Sequence, residues 1–274
     1  MEWHYTVAAK SDMGTTKSVN QDSLTVKVAN TPFGEAAIAV LCDGMGGLEQ
    51  GEIASSVVVR AYEQWFLRDL SRFLAKGFSE EELEQTWRQM ANNCNARIMD
   101  YSRIKNTPMG TTLTVMLLIG GHYYISHVGD CRVYVMGNGM EQLTNDQTYV
   151  AREVALGHMT AEQARTDSRR NVLLQCIGTV NTVDPDFIHG EIYDGDSFLV
   201  CSDGFRHELS EQEMYDYCHT ALEKMEWSVS ERMENSHIMN GQLKYLIDKN
   251  MERGEKDNIS AILIKAVHYI EENG

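Results

Sequence analysis

Proline is scarce, three residues in 274, and the chain has no low-complexity stretch, internal repeat or shift in composition. Nothing marks a linker, so a single domain over residues 1–274 is expected, long enough to bury a large core. Long apolar runs are missing too. The longest, residues 113–119, is strand-sized and contains Thr114, well short of the roughly 20 apolar residues that span a bilayer. The start, Met1-Glu2-Trp3-His4-Tyr5, lacks a basic region followed by an apolar run, so no secretory signal is expected. Six cysteines (42, 94, 131, 176, 201, 218) include no Cys-x-x-Cys pair, which argues against zinc and redox motifs. They read as small buried residues of a reducing, cytoplasmic protein. Positive charge is short as well: 24 Lys and Arg stand against 40 Asp and Glu, a net charge of −16. That balance argues against nucleic acid or an anionic membrane as partner, since both are polyanions.

What is present is a set of aspartates in short motifs spread along the chain. They are Asp22 in Asn20-Gln21-Asp22, Asp43 in Asp43-Gly44-Met45-Gly46-Gly47, Asp203 in Ser202-Asp203-Gly204, and Asp257 in Asp257-Asn258. Asp43 and Asp203 each end an apolar run, residues 36–42 and 197–201, and each is followed by glycine. That pattern puts a carboxylate at the tip of a buried strand, where the backbone can turn and approach a ligand. Carboxylates gathered from distant segments repel unless a cation lies between them, and an all-oxygen donor set favours Mg²⁺ or Mn²⁺.

The hydrophobic pattern gives strands at 5–9, 23–28 and 36–42, a helix over about 51–70, and a longer helix capped at Ser79 and running to about 103. Strands follow at 111–119, 123–128, 132–136, 187–192, 197–202 and 259–267, with helices at about 211–225 and 236–251 before the last. Residues 145–170 interrupt the β pattern with a polar excursion containing a short helical piece at 160–165, of a length that suggests a lid. Strand runs broken by helix pairs, without β-α-β alternation, predict an α+β fold.

The ordered set Gly14…Lys17…Asn20-Gln21-Asp22, Asp43-Gly44-Met45-Gly46-Gly47, Gly110-Thr111-Thr112, Gly129-Asp130-Cys131-Arg132, Ser202-Asp203-Gly204 and Lys256-Asp257-Asn258 resembles the metal-dependent protein serine/threonine phosphatases of the PPM, or type 2C, family, in its compact bacterial form. The resemblance covers about residues 5–265. It implies a four-layer α-β-β-α sandwich and hydrolysis of phosphoserine and phosphothreonine by a water activated between two Mn²⁺ or Mg²⁺ ions. Asp43 would bridge the ions and the Gly44 carbonyl would bind one of them, while Asp203 and Asp257 hold the other. Two ions about 4 Å apart need such a shared carboxylate. Asp22 would act through metal-bound water, beside Gln21 where the family often has Glu. Asp130 would join Asp203 at a third, weaker ion, or else pair with Arg132 or cap a turn.

Lys17 stands where the family usually has the arginine that grips phosphate; it supplies charge without the planar fork, unless it is an ordinary surface lysine. Met45 replaces the histidine proposed as general acid in animal members, and cannot donate a proton. His127 and His207 read as hydrogen-bonded structural residues, and Gly110-Thr111-Thr112 as packing without chemistry. The excursion resembles the bacterial flap; its Arg152, Arg165, Arg169 and Arg170 either steer substrate or are solvated loop charge. The expected partners are phosphorylated proteins and a cognate Ser/Thr kinase, and the chain is expected to be a monomer. The alternative is a pseudophosphatase that binds such partners without turnover; a further rival serves a non-protein phosphoester or one dedicated anti-sigma-type partner.

Overall fold

The computed structural model describes residues 2–46, 50–228 and 230–269. In chain order come β1 (Glu2–Asp12), β2 (Ser23–Thr31), β3 (Gly34–Cys42), β4 (Gly44–Gly46), α1 (Gly51–Arg68), α2 (Leu70–Ala75), α3 (Glu80–Lys105), β5 (Met109–Thr111) and β6 (Leu113–Ile119). Then follow β7 (His122–Val128), β8 (Arg132–Met136), β9 (Met140–Gln142), α4 (Tyr149–Ala155), α5 (Ala161–Thr166) and β10 (Asp186–Glu191). The chain continues with β11 (Ser197–Cys201), α6 (Asp203–Arg206), α7 (Glu211–Tyr215), a π-helical turn (Asp216–Thr220), α8 (Arg232–Glu252) and β12 (Ile259–Tyr269).

Two five-stranded antiparallel sheets, ordered β1-β12-β11-β8-β9 and β10-β7-β6-β3-β2, carry the architecture, and β4 pairs with β5 beside them. Three apolar layers make this the expected four-layer sandwich. Between the sheets, Ala37, Ala39 and Leu41 meet Phe198, Val200, Ile262 and Ile264. On the outer face of the second sheet, Ile38 and Val40 pack under Val58, Tyr62 and Trp65 of α1 and Leu83 and Trp87 of α3. On the outer face of the first, Leu199 and Leu263 pack under Leu243 and Leu246 of α8. Alternate residues of β3 and β11 thus enter different cores. This explains why both strands read as unbroken apolar runs and not as alternating ones.

Several element boundaries differ from the sequence reading. The helix expected over 51–70 breaks at Asp69, whose N–H still bonds Trp65 O at 2.8 Å, and α2 continues to Ala75. The strand expected over 111–119 is two strands split at Thr112, which turns its hydroxyl to the Asp43 N–H at 2.8 Å. The helix expected over 211–225 stops being α-helical at Asp216; the widened turn brings adjacent Cys218 and His219 both inward, and His219 Nδ1 lies 3.1 Å from Ser197 Oγ. The last helix begins at Arg232, one turn before the expected start. The Ser79 cap holds, its oxygen accepting the Glu82 N–H at 3.3 Å.

Antiparallel order also decides where the aspartates go. Asp43, Asp130 and Asp203 follow the ends of β3, β7 and β11, whereas Asp22 and Asp257 precede the starts of β2 and β12. Since neighbouring strands run in opposite directions, ends of some and starts of others share one rim of the sandwich.

Candidate metal centre

Asp43 is held by its backbone before its carboxylate is considered. Its N–H donates to Thr112 Oγ1 at 2.8 Å, and its carbonyl accepts from Thr111 Oγ1 and the Thr112 N–H, both at 2.9 Å. The Gly110-Thr111-Thr112 segment, read from sequence as mere packing, therefore clamps the first aspartate from both sides. Gly44 follows because nothing larger fits: an added Cβ would stand 2.3 Å from Gly51 O and 2.5 Å from Gln21 O. Gln21 places a neutral amide between Gly44 and the start of α1. With the amide turned so that both its atoms are satisfied, Nε2 would donate to Gly44 O and Oε1 would accept from the Gly51 N–H at the start of α1, both at 3.3 Å.

Asp203 opens α6, and a Cβ on Gly204 would lie 2.2 Å from Asn258 O, so the glycine lets the Asp203 and Asp257 turns touch. Asn258 ties a third segment to them: its Nδ2 donates to Met13 O at 2.9 Å and Val19 O at 3.2 Å, and its Oδ1 accepts from the Gln21 N–H at 2.9 Å. Glu255, which no sequence signal singled out, accepts the Lys256 and Asp257 N–H groups at 2.7 and 2.8 Å. Its other oxygen lies 3.2 Å from His207 Nδ1, while His207 Nε2 is 3.5 Å from Asp203 Oδ2. Burial lowers the proton affinity of His207, but the Glu255 bond and the Asp203 charge outweigh it and raise the pKa. His127 is structural as expected, fully buried between Thr114 Oγ1 and Gly129 O, each 3.0 Å away.

One pocket is lined by Lys17, Asp43, Gly44, Met45, Asp130, Asp203 and Asp257, together with Asn171 and Leu173 just beyond the excursion. Asp22 lies behind it, buried, with neither carboxylate oxygen bonded, and Asp203 Oδ1 is likewise buried and unpartnered. Burial, reinforced by Asp203, pushes Asp22 and Asp130 each up to about 7; burial and the charges of Asp22 and Asp203 push Asp43 well above the carboxylate range. The positive group among them is Lys17, whose Nζ is 2.8 Å from Asp257 Oδ1. Among the described residues no three acidic, imidazole or thiol side chains are drawn together closely enough to form a metal cage by themselves. The donor set nonetheless fits hard divalent cations: it is all oxygen, and several of its buried oxygens have no other partner.

Asp130 does not pair with Arg132. Arg132 forks onto Asp146 through Nε and Nη2 at 2.8 and 2.7 Å, and Arg206 Nη2 donates to the Asp130 carbonyl at 3.2 Å. The excursion holds two helices where one short piece was expected, α4 having escaped notice. Of its arginines, Arg152 pairs with Glu153, and Arg169 pairs with Asp167 and stacks 4.3 Å over the Tyr149 ring, while Arg165 and Arg170 are exposed. Gln147 joins the excursion to the Asp130 turn. Its Oε1 accepts from the Gly129 N–H at 3.0 Å and Gln175 Nε2 at 3.1 Å, and its backbone N–H donates to Gly129 O at 2.8 Å.

The chain is 29% identical over 263 residues to the serine/threonine protein phosphatase PstP of Mycobacterium tuberculosis, covering 96% of this chain and 45% of that protein, so it spans just under half of that relative's length. It is 30% identical over 231 residues to the serine/threonine phosphatase stp of Listeria welshimeri, covering 83% of this chain and 84% of that one. The crystal structure of the PstP catalytic domain with two manganese ions superposes with a TM-score of 0.74 at 26% identity, covering 97% of this chain and all of that one. The sequence model described as Protein phosphatase 2C matches residues 14–247, and this chain belongs to that family.

Proposed function

We propose that this chain hydrolyses phosphoserine and phosphothreonine esters of proteins, with water as the nucleophile. The observation that carries the reading is the set of four aspartates, Asp43, Asp130, Asp203 and Asp257, from four segments, that line one pocket beside a single lysine, with the buried Asp22 acting on Asp43 from behind. The names of the relatives above support the substrate class. Asp43 would lie between two Mn²⁺ or Mg²⁺ ions with the Gly44 carbonyl on one, Asp203 and Asp257 would hold the other, Asp130 with Asp203 a weaker third, and Asp22 would act through water. Such ions acidify water toward neutral pH and neutralise charge on the phosphoryl oxygens.

The chain's own groups do the rest. The threonine clamp fixes Asp43 in place. Lys17 would supply positive charge for the phosphate, and Met45 brings no proton to the leaving oxygen. A cysteine nucleophile is disfavoured, because all six thiols are buried. The reading takes residues 1–274 as one monomeric catalytic domain acting in cytoplasmic signalling opposite a Ser/Thr kinase. The buried free cysteines fit a reducing compartment, and among the described residues no helix is long and apolar enough to cross a membrane. The test is release of phosphate from a phosphothreonine peptide with Mn²⁺ and with excess EDTA. Turnover with Mn²⁺ and none with EDTA is expected; peptide binding without turnover would identify a pseudophosphatase instead.

A further inference from the structure

The ion pair between Lys17 and Asp257 is built into the fold. The segment carrying Lys17 is fixed against the Asp257 turn at three points. Asn258 Nδ2 holds the Met13 and Val19 carbonyls, Thr15 Oγ1 donates to Glu255 O at 3.4 Å, and Gly14, at φ 73°, packs so closely that a Cβ would sit 2.4 Å from Asp257 O. The ammonium is thereby aimed at one carboxylate oxygen, Asp257 Oδ1, which also accepts the Asn258 N–H at 2.8 Å. Asp43 and Asp203 act on the same ammonium at longer range. Lysine suits this post, because a compact ammonium can sit on a single oxygen, whereas a guanidinium fork asks for two.

We propose that Lys17 is the site's own cation: it competes with a divalent ion for Asp257, and metal uptake there releases it toward the substrate phosphate. The inference rests on the metal reading above. Phosphate binding and occupancy of the Asp257 ion are then linked, and linkage of this kind is reciprocal. Lys17 would thus serve the carboxylates until a divalent ion takes Asp257, and the phosphate thereafter. The side chains of Lys17 and Asp257 are 41% and 36% exposed, so the competition is that of a half-open pair and moderate in size.

Calorimetric titration with Mn²⁺ alone tests the competition without any assay of activity. Lys17→Met should tighten the weaker of the two Mn²⁺ sites by about two- to fivefold, the upper range of one such half-exposed ion pair. Lys17→Arg keeps the charge and should give no gain. Lys256→Met, which removes an exposed charge from the adjoining turn, should change affinity by less than about twofold. Equal affinities in wild type and Lys17→Met, or an equal gain in Lys256→Met, would overturn the proposal while leaving the metal reading intact. A wild-type chain that takes up no Mn²⁺ would overturn the metal reading and this inference with it. Amine labelling read by mass spectrometry follows the release: Lys17 should become several-fold more reactive with Mn²⁺ and revert with EDTA, with Lys256 unchanged. Labelling of Lys17 that ignores Mn²⁺ would refute the release.

Discussion

Asp43 shows how one residue depends on its neighbours' backbones as much as on its own charge. Asp43→Asn should lower turnover of p-nitrophenyl phosphate with Mn²⁺ below about a tenth of wild type while leaving the circular dichroism unchanged. A variant that keeps more than that would remove Asp43 from the centre. Thr112 serves the same residue from beneath, and Thr112→Val would leave the Asp43 N–H without its acceptor. An unsatisfied buried donor costs about 1–3 kcal/mol, so urea unfolding should show a loss of that order, with activity reduced as well. If stability and activity both match wild type, the clamp has no role. Lys17→Ala should mainly raise KM for a phosphothreonine peptide, since a point-charge contact to phosphate is made in both ground and transition states.

Between elements, two polar junctions hold what apolar packing does not. Gln147 pins the start of the excursion to the Gly129-Asp130 turn and to Gln175 beyond its end. Gln147→Ala should speed hydrogen exchange at the Leu174 amide, which donates to Gln147 O at 2.8 Å, and at the Gln175 amide beside it. Unchanged exchange there would mean that the excursion is anchored elsewhere. At the far end of the sandwich Glu35 joins β1, β3 and α8. It accepts the Tyr5 N–H at 3.1 Å and Arg232 Nη2 at 2.7 Å, and lies 3.2 Å from His4 Nδ1. Burial alone would raise the Glu35 pKa, but Arg232, Tyr5 and His4 prevail and lower it. A pKa depressed on folding gives stability that is full above the unfolded value, about 4.3, and is lost as pH falls through the folded one. Glu35→Gln should therefore unfold at lower urea than wild type at pH 7, and the gap should narrow below about pH 4. A gap independent of pH would show that the Glu35 charge contributes nothing.

At the scale of the whole molecule, the charge of −16 and the acidic pocket lead us to expect divalent metal to stabilise the fold as well as serve the proposed chemistry. An ion that binds only the folded chain stabilises it by about 2.7 kcal/mol at a hundredfold excess over its Kd. Mn²⁺ should raise Tm and EDTA should reverse the shift; a Tm indifferent to both would argue against any tight site. The six thiols lie inside, and burial pushes Cys201 up to about 12 and Cys42 and Cys131 well above the usual thiol range. Iodoacetamide at neutral pH should leave most activity, because the nucleophilic thiolate is suppressed. Complete loss with the fold intact would indicate cysteine catalysis.

Apolar runs such as residues 36–42 and 197–201, the Ser79 cap and the order of the aspartate motifs were legible because each is local: spacing along the chain fixes which side chains share a strand or open a helix. From these followed the α+β class and, with the family resemblance, the four layers. Two of the boundaries that were missed depend on distant partners. Thr112 breaks a strand to reach Asp43 across 69 positions, and His219 sits in a π-turn that brings it to Ser197. Roles were missed for the same reason. Nothing beside Gln147, Glu255 or Asn258 in the chain announces that each bridges segments of the rim, since a side-chain amide or carboxylate takes its meaning from the backbone groups that folding brings to it. The identities of the acids were set by sequence. Their convergence on one rim, and the lysine that lies against Asp257, were decided by antiparallel strand order and by the close glycine contacts that let three turns touch.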